Sequence, residues 1–166
     1  MNLVIVSDIF GRTPALEKLG RRLASTGTAP LFADPYQGKA FEFESETHAH
    51  ETFNRLSGFE TLKKTLQQKV LTCPGPVMVI GFSAGATSTW MFTHDSVFNG
   101  TAICFYGSGI RHYTHLNPKN RVLCIFPRSE PHVDVRQMAD EVSNKALVSC
   151  TVEPYAHGFM NKLSVN

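Results

Sequence analysis

Six short apolar runs alternate with segments of helical period along this chain, and that rhythm leaves few folds open. Leu3–Val6, Pro30–Ala33, Val77–Ile80, Thr101–Tyr106, Val122–Phe126 and Leu147–Val152 read as strands. Between them, Thr13 and Pro14 offer an N-cap and a first helical position, and Leu16, Leu19 and Leu23 give one apolar face. Phe53, Leu56, Leu62 and Leu66 mark one longer helix, with Lys63, Lys64 and Lys69 among its polar positions. A helix over 84–93 follows the third strand, and Val135, Met138, Val142 and Ala146 repeat at helical spacing before the sixth. Strands alternating with helices predict a mostly parallel sheet of about six strands with helices on both faces, a three-layer α/β sandwich. A length of 166 residues is consistent with a single domain, 1–166.

Composition narrows the partners. The net charge is only +2 and the basic residues are scattered, which argues against a nucleic-acid partner. No apolar run approaches the roughly 20 residues that span a bilayer, so no membrane partner is expected. The N-terminal stretch has neither a basic segment nor a long apolar one, which argues against a secretory leader and for a cytoplasmic protein. Cys104, Cys124 and Cys150 fall inside strand-like runs, Cys73 precedes Pro74, and no C-x-x-C pair occurs; reduced thiols are the expectation. His48-x-His50 and His112-x-x-His115 lack a third ligand at suggestive spacing, so neither metal nor cofactor is expected. Residues 34–51 break the rhythm, and read either as a partial lid over the site or as a solvated surface loop.

The chemistry concentrates at Gly81-Phe82-Ser83-Ala84-Gly85, a G-x-S-x-G stretch between the third strand and the helix that follows. A strand turning sharply into a helix at a serine lifts the hydroxyl over the sheet edge, while the flanking glycines keep side chains out of the turn. Such a serine needs a base to take its proton and an acid to orient that base. His157, in the turn-rich loop after the sixth strand, is the candidate base. The loop after the fifth strand carries two acids. Glu130 lies where it can reach over the sheet, and Asp134 lies where it would open the next helix; Glu130 is preferred and Asp134 kept as the alternative. The two oxyanion donors expected are the amides of Ala84, directly after the serine, and of Ile9, in the loop after the first strand.

These motifs resemble those of the dienelactone hydrolase family of α/β-hydrolases. Val4-Ile5-Val6-Ser7-Asp8-Ile9-Phe10-Gly11 is similar to the family's acidic-Ile-Phe-Gly loop, and Asp34-Pro35-Tyr36 to the segment after its next strand. Gly81–Ala86 matches the nucleophile turn, Tyr106-Gly107 the end of the following strand, Ser129–Val133 the acid loop and Ala156–Phe159 the histidine loop. The resemblance runs from residue 4 to 160 and implies a compact α/β-hydrolase without a large cap domain. It implies Ser83, Glu130 and His157 as a triad, with Ile9 and Ala84 as oxyanion donors. Three departures stand out. Ser83 replaces the cysteine of the best-known members, Glu130 replaces the usual aspartate, and Phe159-Met160-Asn161 offers no arginine for a substrate carboxylate.

The function expected is hydrolysis of a small ester, lactone or thioester through an acyl group on Ser83. The alternative is a catalytically weak hydrolase-fold protein used for binding. A flavodoxin-like ligand-binding domain fits less well, because the loops after the first and third strands lack a phosphate-type glycine signature. Few residues follow His157, which leaves the last strands short of a closing helix and suggests a homodimer covering that face.

Overall fold

The computed structural model describes residues 1–24 and 28–161. Its strands are β1 (Asn2–Val6), β2 (Leu31–Ala33), β3 (Val77–Phe82), β4 (Gly100–Phe105), β5 (Arg121–Pro127) and β6 (Val148–Glu153). The helices are α1 (Pro14–Leu23), α2 (Glu46–Leu56), α3 (Gly58–Leu71), α4 (Ala84–Thr93) and α5 (Val135–Ser143), with a 3₁₀ segment at Ser108–His112. All pairings are parallel and the strand order is β2-β1-β3-β4-β5-β6. Every strand therefore points the same way, and all the loops after strands gather at one edge, where parallel sheets place their ligands.

Helices cover both faces, as the alternation predicts. On one, Phe53, Leu62, Leu66, Trp90, Met138 and Val142 pack on Val4, Val6, Val79 and Cys104. On the other, α1 sets Leu16 and Leu19 against Leu3, Ile5, Ile80 and Phe82. Thr13 caps α1, its hydroxyl accepting from the Leu16 amide at 3.2 Å. Leu23 is half exposed, not part of the packed face. Gly20 lets α1 come close to the sheet, since an added Cβ there would lie 2.8 Å from Phe32 and 2.9 Å from Ile5. Cys104, Cys124 and Cys150 lie in register across β4, β5 and β6, and all four cysteines are free.

The middle of the chain differs from its expectation. The single helix through Phe53 and Leu66 is two helices, because the chain turns at Ser57 and at Gly58, whose φ is +70°. Only glycine adopts that conformation without strain. Leu56, counted as part of an apolar stripe, is half exposed at that break. The rhythmless stretch 34–51 is also only partly loop: Ser45 caps α2 by accepting from the His48 amide, so 46–51 are helical. At the other end, α5 stops at Ser143, leaving Ala146 exposed and outside it.

Candidate active site

The turn after β3 is strained. Ser83 has φ 51° and ψ −113°, a conformation costly for any side-chain-bearing residue. It is held from both sides: the Ser83 amide donates to Phe105 O at 2.9 Å, and the Thr87 amide donates to Ser83 O at 3.0 Å. The glycines are required by packing. A Cβ on Gly85 would sit 2.3 Å from Ser7 O and 2.5 Å from Val6 O, and one on Gly81 2.6 Å from Gly85 O. All of α4 is buried behind the turn, so the serine has no room to relax backward.

Long-range folding brings the other groups to it. Ser83 Oγ lies 3.0 Å from His157 Nε2, and His157 Nδ1 lies 2.5 Å from Glu130 Oε1. The Glu130 side chain is only 5% exposed and His157 24%, so the carboxylate is withdrawn from water and its partner is the ring. Glu130 is turned inward by a tight Glu130–Val133 bridge in which His132 takes φ 60°. The Arg128 amide donates to Tyr155 O at 3.0 Å, which ties the loop after β5 to the loop after β6. Asp134 is elsewhere: it caps α5, accepting from the Gln137 amide at 3.0 Å. The ring of Tyr106, 5.1 Å away by centroids, packs edge-on against His157. Burial pushes the Tyr106 hydroxyl well above its ordinary range, so it stays neutral.

Ile9 and Ala84 line the same cleft as Ser83 and His157. Ala84 opens α4, and the first amides of a helix have no carbonyl partner within it. The Ile9 loop is shaped by two residues whose part the motifs alone do not reveal. Asp8 accepts from the Phe10 amide at 2.9 Å and also from the Asn161 side chain, linking this loop to the chain beyond His157. Burial is the main cause that pushes the Asp8 carboxyl up to about 6. Tyr36 donates its hydroxyl to Ile9 O at 2.6 Å, and burial pushes that hydroxyl up to about 12, so it remains a donor. Asp34 sets up the Tyr36 turn by accepting from the amides of Tyr36 and Gly38. The Asp-Pro-Tyr-x-Gly pattern is a turn signal, but its contact with Ile9 spans 27 positions.

The cleft has a volume of about 540 Å³ and passes between these loops and α2. Its apolar wall is Phe53 and Phe59, and Glu46 and His50 stand one turn apart on α2. The region 34–51 thus contributes a wall of the cleft. Among the described residues no group of three or more His, Cys, Asp or Glu is arranged to hold a metal. His48 accepts from the Glu44 amide and His50 contacts Asn54. Among the described residues no helix is long and apolar enough to cross a membrane.

The sequence model of the dienelactone hydrolase family matches residues 2–165. The chain belongs to the dienelactone hydrolase family. Membership indicates a hydrolase of ester-like substrates within the α/β-hydrolase superfamily. A Bacillus subtilis protein described as uncharacterized protein YczH is 28% identical over 167 residues, covering 98% of this chain and 82% of that protein. A putative dienelactone hydrolase from Klebsiella pneumoniae superposes with a TM-score of 0.77 at 18% identity, over 95% of this chain and 75% of that one. A dienelactone hydrolase-like promiscuous phosphotriesterase from metagenomic libraries has a TM-score of 0.68 at 19% identity, over 95% and 72%. At such identities these two structures speak to the fold alone.

Proposed function

We propose that this dienelactone hydrolase family member is a serine hydrolase that cleaves small carboxylic esters through an acyl-enzyme on Ser83. The observation that carries the reading is the relay from Ser83 Oγ to His157 Nε2, 3.0 Å, and from His157 Nδ1 to Glu130, 2.5 Å, at a strained strand-to-helix turn. In this reading Ser83 Oγ attacks the ester carbonyl as its proton passes to His157 Nε2. Glu130 stabilises the resulting imidazolium and holds the ring with Nε2 toward the serine. Negative charge forming on the carbonyl oxygen is met by the Ile9 and Ala84 amides. The imidazolium then gives its proton to the departing alcohol oxygen as the C–O bond breaks. Water, deprotonated by the same ring, releases the acid and restores Ser83.

A phosphonate or phosphotriester is attacked by the same hydroxyl, and one structural neighbour bears the name promiscuous phosphotriesterase. That makes a fluorophosphonate the natural test. Folded protein should gain one covalent adduct, located on Ser83 by mass spectrometry, and Ser83→Ala should gain none. A folded wild-type sample that stays unlabelled under conditions that label a reference esterase would overturn the reading in favour of a binding module. The expected homodimer stands as a further proposal. Ile103, Phe105, Leu123 and Ile125 are half-buried on the α1 side of β4 and β5. A sedimentation coefficient that does not change with concentration and fits one chain would dismiss it.

A further inference from the structure

We propose, building on the esterase reading, that the cleft selects substrates by charge, taking neutral and cationic esters and rejecting anionic ones, with Glu46 as the residue that sets the preference. The cleft beside Ser83 is lined by no lysine or arginine. Its acidic side chains are Glu130 and Glu46, and its imidazoles are His157 and His50. Glu130 is paired with His157 at 2.5 Å. Glu46 is different: half-buried, with no ion pair or hydrogen bond among the described residues. Glu46 also lines a smaller pocket together with Asp8, Ser83 and His157, which sets its carboxylate beside the reacting groups. Arg111, whose guanidinium donates to Ser108 O at 2.8 Å, is exposed and outside the lining.

The apolar wall supports the same choice. Phe53 and Phe59 meet at 5.6 Å with a tilt of 57°, and both border the cleft that Glu46 enters. An uncompensated carboxylate beside aromatic faces attracts an ammonium group. It repels a substrate carboxylate, which would lose its water shell without gaining a lysine or arginine as partner. Glu46 also sits in the first turn of α2, where an acid suits the helix dipole. That role alone would not discriminate between esters.

The test uses three matched nitrophenyl esters: of butyric acid, of its trimethylammonio derivative, and the monoester of glutaric acid. Each kcat/KM is divided by the rate of hydroxide-catalysed hydrolysis of the same ester, which removes intrinsic reactivity. The wild type should favour the cationic over the anionic ester by about tenfold at low salt, less as salt is added. Glu46→Gln should collapse that ratio toward unity and Glu46→Lys should invert it. Glu51→Gln, the same charge change at an exposed position of α2 outside the cleft lining, should leave it standing. An anionic ester processed as well as the cationic one, or a ratio indifferent to Glu46→Gln, would overturn the proposal. Binding of the same pair to Ser83→Ala by calorimetry reads the preference without turnover. Failure of the chemistry and failure of the charge selection are thereby separated.

Discussion

The turn at Ser83 and the loop at Glu130–Asp134 both bring a polar side chain to the carboxyl end of the sheet, but they are built in opposite ways. At Ser83 the strand, the two glycines and the fully buried helix form one contiguous stretch, 77–93, and neighbouring strands add only the backbone that crowds Gly85 and holds the Ser83 amide. The geometry there is enforced by backbone crowding, and the strain at φ 51° is held by the core. At the acid loop two carboxylates four positions apart have different duties, decided by which way a tight turn faces. Glu130 is drawn inward to a histidine 27 positions away, and Asp134 is left on the surface to cap a helix. The serine turn comes from contiguous residues, whereas the imidazole and carboxylate that meet it depend on loops that come together only in the folded sheet.

The largest effect should come at the local end of that comparison. Ser83→Ala should lower ester turnover by about 10⁴ to 10⁶ while the urea midpoint barely moves, as measured on an activated ester. Glu130→Gln should follow, with a loss of roughly 10² to 10⁴ at neutral pH, since the amide keeps the shape but no longer stabilises the imidazolium. Wild-type turnover in that variant would break the contrast by removing Glu130 from the chemistry. Gly85→Ala probes crowding: a methyl 2.3 Å from Ser7 O should cost about 3 kcal/mol in urea unfolding.

Asp8 belongs to neither region: it joins the Ile9 loop to Asn161, and its contribution depends on pH. Its carboxyl is pushed from 3.8 up to about 6 on folding, so the folded chain holds a proton that the unfolded chain releases. Stability from this group is complete below about pH 4 and is lost as pH rises through 6, roughly 3 kcal/mol in all and about 2 kcal/mol of it between pH 4.5 and 7.5. The difference in unfolding free energy between wild type and Asp8→Asn should therefore shift in the variant's favour between pH 4.5 and 7.5, by about that amount. The smallest effect is expected at Asp134→Asn, which keeps a side-chain oxygen for the Gln137 amide. It should cost about 0.3–1 kcal/mol of stability, with turnover within roughly twofold. A crippled Asp134→Asn with an unharmed Glu130→Gln would reverse the roles of the two acids.

Much of the architecture was legible because it is local. The six apolar runs, the Thr13-Pro14 helix start and the helix over 84–93 each follow from periodicity, capping and the turn glycines. Such signals act over a few residues, and their energetic causes lie within the same few residues. The split of α2 from α3 was missed because Gly58 reads as a tolerable interruption of a helical pattern until its φ of +70° is seen. The start of α2 at Ser45 was hidden in a stretch whose helix packs mainly through Ala49, Thr52 and Phe53, too few apolar positions to show a period.

The candidate site divides along the same line. The sequence by itself determined that Ser83 sits in a strand-to-helix turn with glycines on both sides. It also confined the choice of acid to two positions in one loop, because those are properties of contiguous residues. Only the tertiary structure decided that Glu130 rather than Asp134 faces His157, that Tyr36 holds the Ile9 loop, and that Glu46 stands in the cleft. Each of those depends on the direction in which a loop or helix end leaves the core. That direction is set by packing and hydrogen bonds among residues 27 or more positions apart, such as His157 with Glu130 and Tyr36 with Ile9. No local propensity encodes such contacts; they form only when six strands have paired in one order.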